Sequence, residues 1–406
     1  MRNFHISRSF VAFTLFSTIL VAINNANASE HQQVHIALGT DETEMVITWA
    51  TIESIDDHGV VNFGTSSDNL TDSVTAVTTY FEDDDAYWYN YRALLTGLKP
   101  STTYYYRVGS KASSWSKVFQ FKTLNSGNKW LPSFAIYGDL GIENERSLPY
   151  LTKDVEKGMY DVIFHIGDMA YDLYEYGGSR GNNFMRMLEP IAARMPYMTT
   201  TGNHEKAKNF SHYDARFSMI GDRHQPNYSA DLTDRLNNHF YSLDIGPAHI
   251  IIFSTEFYYY TRWGWEQIRW QYRWLEDELI RANQNRKERP WIIVMGHRPF
   301  YCLVAGDKCN RKTLERGPIK NGVHYDKTKK SQLNYGLEDL FYKYGVDLQL
   351  YGHEHFFVRF YPVHKNVSPS RPKETNPYED PVAPVFITTG NAVRYFIYYI
   401  QPTNSL

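Results

Sequence analysis

Cysteine is nearly absent: Cys302 and Cys309 are the only two in 406 residues. A thiolate metal site would need more ligands nearby, so this close pair reads as a local disulfide if the chain is exported. Excess positive charge is missing too. With 42 basic against 45 acidic residues and a formal net charge of −3, there is no basic stripe to neutralise a nucleic-acid backbone and no polybasic membrane anchor. Long apolar runs are confined to the amino end, and no later segment is suited to span a bilayer. A hydrophobic content of 42% with 21% charge excludes disorder, collagen and coiled coil, and the length points to about two domains. Aromatics are abundant: 32 Tyr, 23 Phe and 9 Trp suit β-rich packing and crowded pocket walls.

At the amino end, Arg2 and Arg8 precede an apolar run over 10–23, and Ala26-Asn27-Ala28 offers the small-x-small pattern of a cleavage site. Residues 1–28 are expected to be a secretory signal, since the run is short for an anchor and carries Thr14, Ser17 and Thr18. Export implies a secreted or lysosomal product. It makes the sequons at Asn69, Asn209, Asn227 and Asn366 candidate glycosylation sites. In an oxidising compartment Cys302 and Cys309 are expected to pair, and closing so short a loop stabilises by about 2 to 3 kcal/mol on the chain-entropy account.

Residues 34–123 read as short strands separated by turns, with Met45, Ile47 and Trp49 alternating against polar or small neighbours. In LKPSTTYYYRV, proline ends a turn, and Tyr104 at the strand start can bond back to it. This resembles the tyrosine corner of a fibronectin type III sandwich. The domain is expected over 32–125 as a β-sandwich that packs or positions, having no residue with evident catalytic chemistry. Small polar residues near 122–130 read as a linker. Beyond it, apolar runs at 133–137, 162–166, 198–200, 249–253, 291–295, 347–351 and 385–388 alternate with helical stretches. The clearest helix spans 263–285, with Ile268, Tyr272, Leu275 and Leu279 on one face. The aromatics there, Trp274 included, read as core. This pattern predicts a layered α/β domain over 131–406, with its site at the carboxyl ends of the strands.

Those ends share one grammar. The runs finish in Gly138-Asp139-Leu140-Gly141, Gly167-Asp168-Met169-Ala170-Tyr171, Gly202-Asn203-His204-Glu205, Gly296-His297-Arg298 and Gly352-His353-Glu354-His355. Glycine permits a tight turn and leaves room for a metal and its substrate. Asp139, Asp168, Tyr171, Asn203, His297, His353 and His355 make seven donors, too many for one tetrahedral zinc and suited to two metals sharing a bridging carboxylate.

In this order, behind a fibronectin-like domain, GDLG, GDMAY, GNHE, GH and GHEH resemble the metallophosphoesterase superfamily and, through Tyr171, its purple acid phosphatase branch. The resemblance implies that Asp139, Asp168, Tyr171 and His355 bind Fe(III), while Asp168, Asn203, His297 and His353 bind a divalent metal. Asp168 then bridges. Ligand hardness agrees, because carboxylates and a phenolate favour Fe(III), whereas two imidazoles and an amide oxygen suit Zn, Fe(II) or Mn. The implied activity is hydrolysis of small-molecule phosphate monoesters in acid by metal-activated hydroxide, with His204 protonating the leaving group. Asp172, four residues past the bridge, is expected to matter little.

Two features depart from the pattern. The stretch 299–309 lacks the further substrate-contacting histidines of related enzymes, which leaves His324 as a substitute only if its loop folds back. The ending VRYFIYYIQPTNSL reads as a truncation, and the apolar run at 395–400 would be an aggregation hazard if unpaired. Alternatives are a nucleotide phosphodiesterase or pyrophosphatase on the same centre, or an inactive secreted binding protein working through its sandwich. No nucleic-acid or membrane partner is expected, and oligomeric state is left open.

Overall fold

The computed structural model describes residues 31–55, 58–83, 86–143, 146–220, 238–261, 266–302, 323–326, 331–368, 376, 378–392 and 399–400. The expected signal segment, Asn227, Cys309 and the side chain of His324 lie outside the described residues.

Eight strands come first: β1 (Gln32–Leu38), β2 (Met45–Thr51), β3 (Val60–Gly64), β4 (Asp72–Thr75), β5 (Val77–Asp83), β6 (Ala86–Leu95), β7 (Thr103–Gly109) and β8 (Phe119–Lys122). They pair antiparallel into two sheets, ordered β1-β2-β6-β5 and β4-β3-β7-β8. Buried residues of both sheets, among them Ile47 and Trp49 of β2 and Tyr106 and Val108 of β7, share one hydrophobic core, and within the first sheet Trp49 stacks on its β6 partner Tyr91 at 5.1 Å. The expected tyrosine corner forms, the Tyr104 hydroxyl accepting the Lys99 N–H at 2.9 Å.

All seven strands read from the later apolar runs are present. One sheet is ordered β11-β10-β9-β20, from β9 (Phe134–Tyr137), β10 (Val162–Ile166), β11 (Tyr197–Thr200) and β20 (Tyr399–Ile400). Strand β10 is buried throughout and parallel to both β9 and β11, as a strand covered on both faces must be. The other sheet is ordered β12-β13-β14-β17-β19-β18, from β12 (Tyr241–Ile245), β13 (Ala248–Ile252), β14 (Trp291–Gly296), β17 (Leu348–Tyr351), β18 (Phe357–Arg359) and β19 (Val385–Thr389). A small hairpin, β15 (Val323–Asp326) and β16 (Ser331–Asn334), lies between β14 and β17 in the chain. Of the apolar run at 395–400, residues 395–398 lie outside the described residues, and Tyr399 and Ile400 pair antiparallel with Ala135 and Phe134.

Helix α1 (Leu148–Glu156) and helix α2 (Ser179–Ala192) accompany the first sheet; α3 (Ser211–Arg216), α4 (Glu266–Gln284) and α5 (Leu337–Lys343) follow. Helix α4 buries Ile268, Leu275 and Leu279 as its spacing predicts, and Trp274 packs on Phe240 at 5.1 Å. The sandwich docks on the first sheet's side. Tyr106 donates to the Ala193 carbonyl at 2.7 Å, Val34 N–H reaches Glu189 at 3.2 Å, and buried Arg92 donates to the Ala215 carbonyl at 2.9 Å.

Candidate metal centre

The two catalytic sheets meet at their carboxyl ends. Gly138 N–H donates to the Thr389 carbonyl at 3.0 Å, and Asp139 N–H donates to the Gly167 carbonyl at the same distance. These bonds draw the loops after β9, β10 and β19 together. Asp139, Asp168, Tyr171 and His353 each adopt a left-handed backbone, with φ of 63°, 53°, 53° and 70°. Such conformations are costly for non-glycine residues and cluster where surrounding structure holds a functional side chain in place. Close approach also dictates glycine: a Cβ on Gly202 would stand 2.3 Å from Asp168 Oδ1.

Two groups of donor atoms result. Tyr171 Oη lies 2.7 Å from His355 Nε2 and 3.4 Å from Asp139 Oδ1, and His355 Nε2 lies 3.3 Å from Asp139 Oδ1, closing a triangle. In the second group, His297 Nε2 is 3.3 Å from both Asp168 Oδ2 and Asn203 Oδ1. Donor atoms of Asp168, His297 and His353 all lie within 4.8 Å of one another. All seven donors named from sequence are therefore gathered at these strand ends.

The electrostatics call for cations. Burial raises the Asp139 carboxyl above its ordinary range, with the neighbouring Asp168 charge adding to it. For Asp168, burial works the same way, but the charge and hydrogen bond of His297 outweigh it and hold the carboxyl well below that range. Burial alone would depress His297, yet Asp168 raises it to about 10. Burial, then the charges of His297 and Arg298, keep His353 well below the ordinary histidine value. Its Nδ1 is buried without a hydrogen-bond partner. An orphaned imidazole nitrogen beside two buried carboxylates and a phenol fits a metal pair.

Supporting contacts fix this arrangement. His297 Nδ1–H donates to the Ile166 carbonyl at 2.9 Å, which leaves Nε2 as its ligand atom. Glu205, not assigned a role from sequence, receives the N–H groups of Asp168, Met169 and Gly202 at 2.9, 3.0 and 2.8 Å. It ties the β10 and β11 loops together. Arg180 Nε–H donates to the Ala170 carbonyl at 2.7 Å and braces the turn leading to Tyr171. Gly390, in the unassigned loop after β19, leaves no room for a side chain: its Cβ would stand 2.6 Å from Asp139 Oδ2.

His204 lies at the rim, with 29% of its side chain exposed. Its Nδ1 pairs with Asp172 Oδ2 at 3.1 Å, its ring meets Tyr171 edge-on at 4.6 Å, and its Nε2 is 3.9 Å from Asp168 Oδ2. Burial lowers its pKa, but the Asp172 bond and the Asp168 charge reverse the sign and raise it. Asp172, expected to matter little, is thus in contact with His204. It holds the His204 ring through Nδ1, while the His204 N–H donates to Asp168 Oδ1 at 2.9 Å.

Two facing sheets with this crevice at their strand ends define a metallophosphoesterase. Residues 31–123 match the family model for the purple acid phosphatase N-terminal domain, and residues 132–357 match that for calcineurin-like phosphoesterases. The chain belongs to the purple acid phosphatase family. It is 41% identical over 385 residues to human acid phosphatase type 7 (Homo sapiens), spanning 93% of this chain and 81% of that protein. It is 27% identical over 366 residues to the Fe(3+)-Zn(2+) purple acid phosphatase 12 of Arabidopsis thaliana, across 89% of this chain and 71% of the relative. A purple acid phosphatase from yellow lupin (Lupinus luteus) seeds shares the fold, with a TM-score of 0.66 at 22% identity over 93% of this chain and 67% of the lupin chain.

Proposed function

We propose that this protein is an acid phosphatase that hydrolyses small phosphate monoesters at an Fe(III)–M(II) pair. The triangle of Tyr171, His355 and Asp139 donor atoms carries the reading. Burial and the charges of Asp139 and Asp168 push the Tyr171 hydroxyl far up, so only a strongly charged ion close by would draw its proton off. Asp139, Asp168, Tyr171 and His355 would hold Fe(III), and Asp168, Asn203, His297 and His353 the divalent partner, Zn, Fe or Mn. The name of the Arabidopsis relative supports an iron-zinc pair.

Bound there, the ions would supply Lewis acidity that activates water and neutralises charge on the phosphoryl oxygens. The chain itself orients and transfers the proton. His204, held through Nδ1 by Asp172, whose hydrogen bond helps raise its pKa, would present Nε2–H to the departing alkoxide. Tyr171 packs against its ring and limits its rotation.

Export through the secretory pathway, to the exterior or the lysosome, belongs to the same proposal and rests on residues 1–28. Asn69, Asn209 and Asn366 are exposed, as glycan acceptors must be. Pairing of Cys302 with Cys309 is likewise proposed. The deciding experiment measures metal content of the purified protein beside its hydrolysis of monoester and diester substrates in acid. Two metals per chain with monoester turnover are expected; a metal-free, inactive protein would sink the proposal, and a diester preference would replace the substrate class.

A further inference from the structure

Arg298 directly follows His297 at the end of β14. Its N–H is bound by Thr255 Oγ1 at 3.0 Å, and its Nε faces both carboxylate oxygens of Glu256 at 3.0 and 3.1 Å. Glu256 is fully buried, and the guanidinium lies over the Tyr259 ring at 4.4 Å. Backbone, Nε and ring face are thus anchored, while 15% of the side chain stays open. The far end of the guanidinium also bonds Tyr260, and its Nη1 stands 3.3 Å from Nε2 of His353.

That contact is informative because a guanidinium can only donate. The orphaned nitrogen of His353 is Nδ1, which makes Nδ1 the atom available to an ion. A neutral imidazole using Nδ1 as a lone pair carries its hydrogen on Nε2. Without an ion, Nε2 accepts from Arg298 Nη1–H; with an ion on Nδ1, Nη1–H of Arg298 and Nε2–H of His353 would stand side by side as two donors. They fit a single anionic oxygen shared by both.

We propose that Arg298 and His353 form a two-donor fork that grips a phosphoryl oxygen of substrate or product, with Glu256 as the residue that positions the guanidinium. The proposal rests on the phosphatase reading above. It supplies the anion contact for which 299–309 offers no histidine. Arginine keeps its charge at all working pH values, so this grip does not weaken as histidines lose their protons.

The test uses the full-length, metal-loaded protein with Arg298→Lys, Arg298→Met, and Arg298→Met combined with Glu256→Gln. The last avoids leaving Glu256 buried and unpaired. Metal content, binding of inorganic phosphate by calorimetry, and KM and kcat for nitrophenyl phosphate are measured. Expected is full metal content with phosphate binding weakened about 10- to 100-fold in both Met variants, a matching rise in KM, and a smaller loss in Arg298→Lys. Phosphate affinity within about two-fold of wild type in the double variant would overturn the fork, on the tenfold-per-1.4 kcal/mol scale. So would loss of metal from all three variants, which would make Arg298 a support for His353. A wild type that takes up no metal and cleaves no ester would overturn the phosphatase reading and the fork with it.

Discussion

His204 Nδ1 lies 3.1 Å from Asp172 Oδ2, and this pair holds an imidazole at the mouth of the crevice without using any metal-ligand candidate. The Asp172 bond raises the His204 pKa against the opposing effect of burial. A general acid works only while protonated, so a raised pKa extends activity toward higher pH. Asp172→Asn should therefore move the alkaline limb of the pH-rate profile to lower pH while leaving metal content unchanged. An unmoved limb would mean that another group donates the proton.

Tyr171 should colour the protein. A phenolate bound to Fe(III) gives a charge-transfer band in the visible, and none of the other six donors named here does so. Tyr171→Phe should bleach that band and keep the fold, since the ring contact to His204 at 4.6 Å survives without the hydroxyl. A colourless wild type loaded with iron would remove Tyr171 from the ligand set and return it to packing.

How far the site was legible follows from where its information sits. Asp139, Asp168, Asn203, His297, His353 and His355 were readable because each stands one or three residues beyond a strand-end glycine, a local signal. Tyr104 was readable for the same reason, five residues from the Lys99 N–H that it binds. Glu256 was not, because β13 ends without a glycine and its partner Arg298 is 42 residues away. The contact of Asp172 with His204 is not legible either, because nothing local points Asp172 at a residue 32 positions on. The edge strands β12 and β18, YSLDI and FVR, carry no long apolar run that would mark them in the sequence. Contacts between distant segments leave no periodicity in either one.

His249 offers a test of stability against pH. Its Nδ1 is 2.6 Å from Asp244 Oδ1 and its Nε2 3.0 Å from Glu278 Oε1, joining the β12-β13 hairpin to α4. Burial opposes the charge, yet the two carboxylates outweigh it and the pKa is raised above the ordinary 6.5. The stabilisation is thus complete below 6.5 and is lost as pH rises through the folded value. His249→Gln should cost about 1 to 3 kcal/mol in acid and less in alkali. Melting temperatures of both proteins, taken on each side of neutrality, check this; a pH-independent difference would show that no imidazolium is held there.

Asp83 tests what the sandwich contributes to the catalytic domain. At the end of β5 it holds Lys208 through Oδ1 and His212 Nε2 through Oδ2, the latter at 2.6 Å. His212 in turn accepts from Arg216 at 3.1 Å, and burial followed by the Arg216 charge lowers its pKa to about 4. It stays neutral above that value, so protonation does not disturb the clamp in moderate acid. Between these anchors Lys208, Asn209 and Phe210 have left-handed φ of 49°, 57° and 63°. Three successive residues in that region store strain that only outside restraint maintains, and they begin four positions after His204. Asp83→Ala should free the turn, lower stability by about 1 to 3 kcal/mol and reduce kcat more than it changes KM, with metal content preserved. Limited proteolysis should cut between 206 and 211 in the variant before it cuts the wild type. If the variant melts, resists protease and turns over like the wild type, the sandwich does not restrain the turn behind His204.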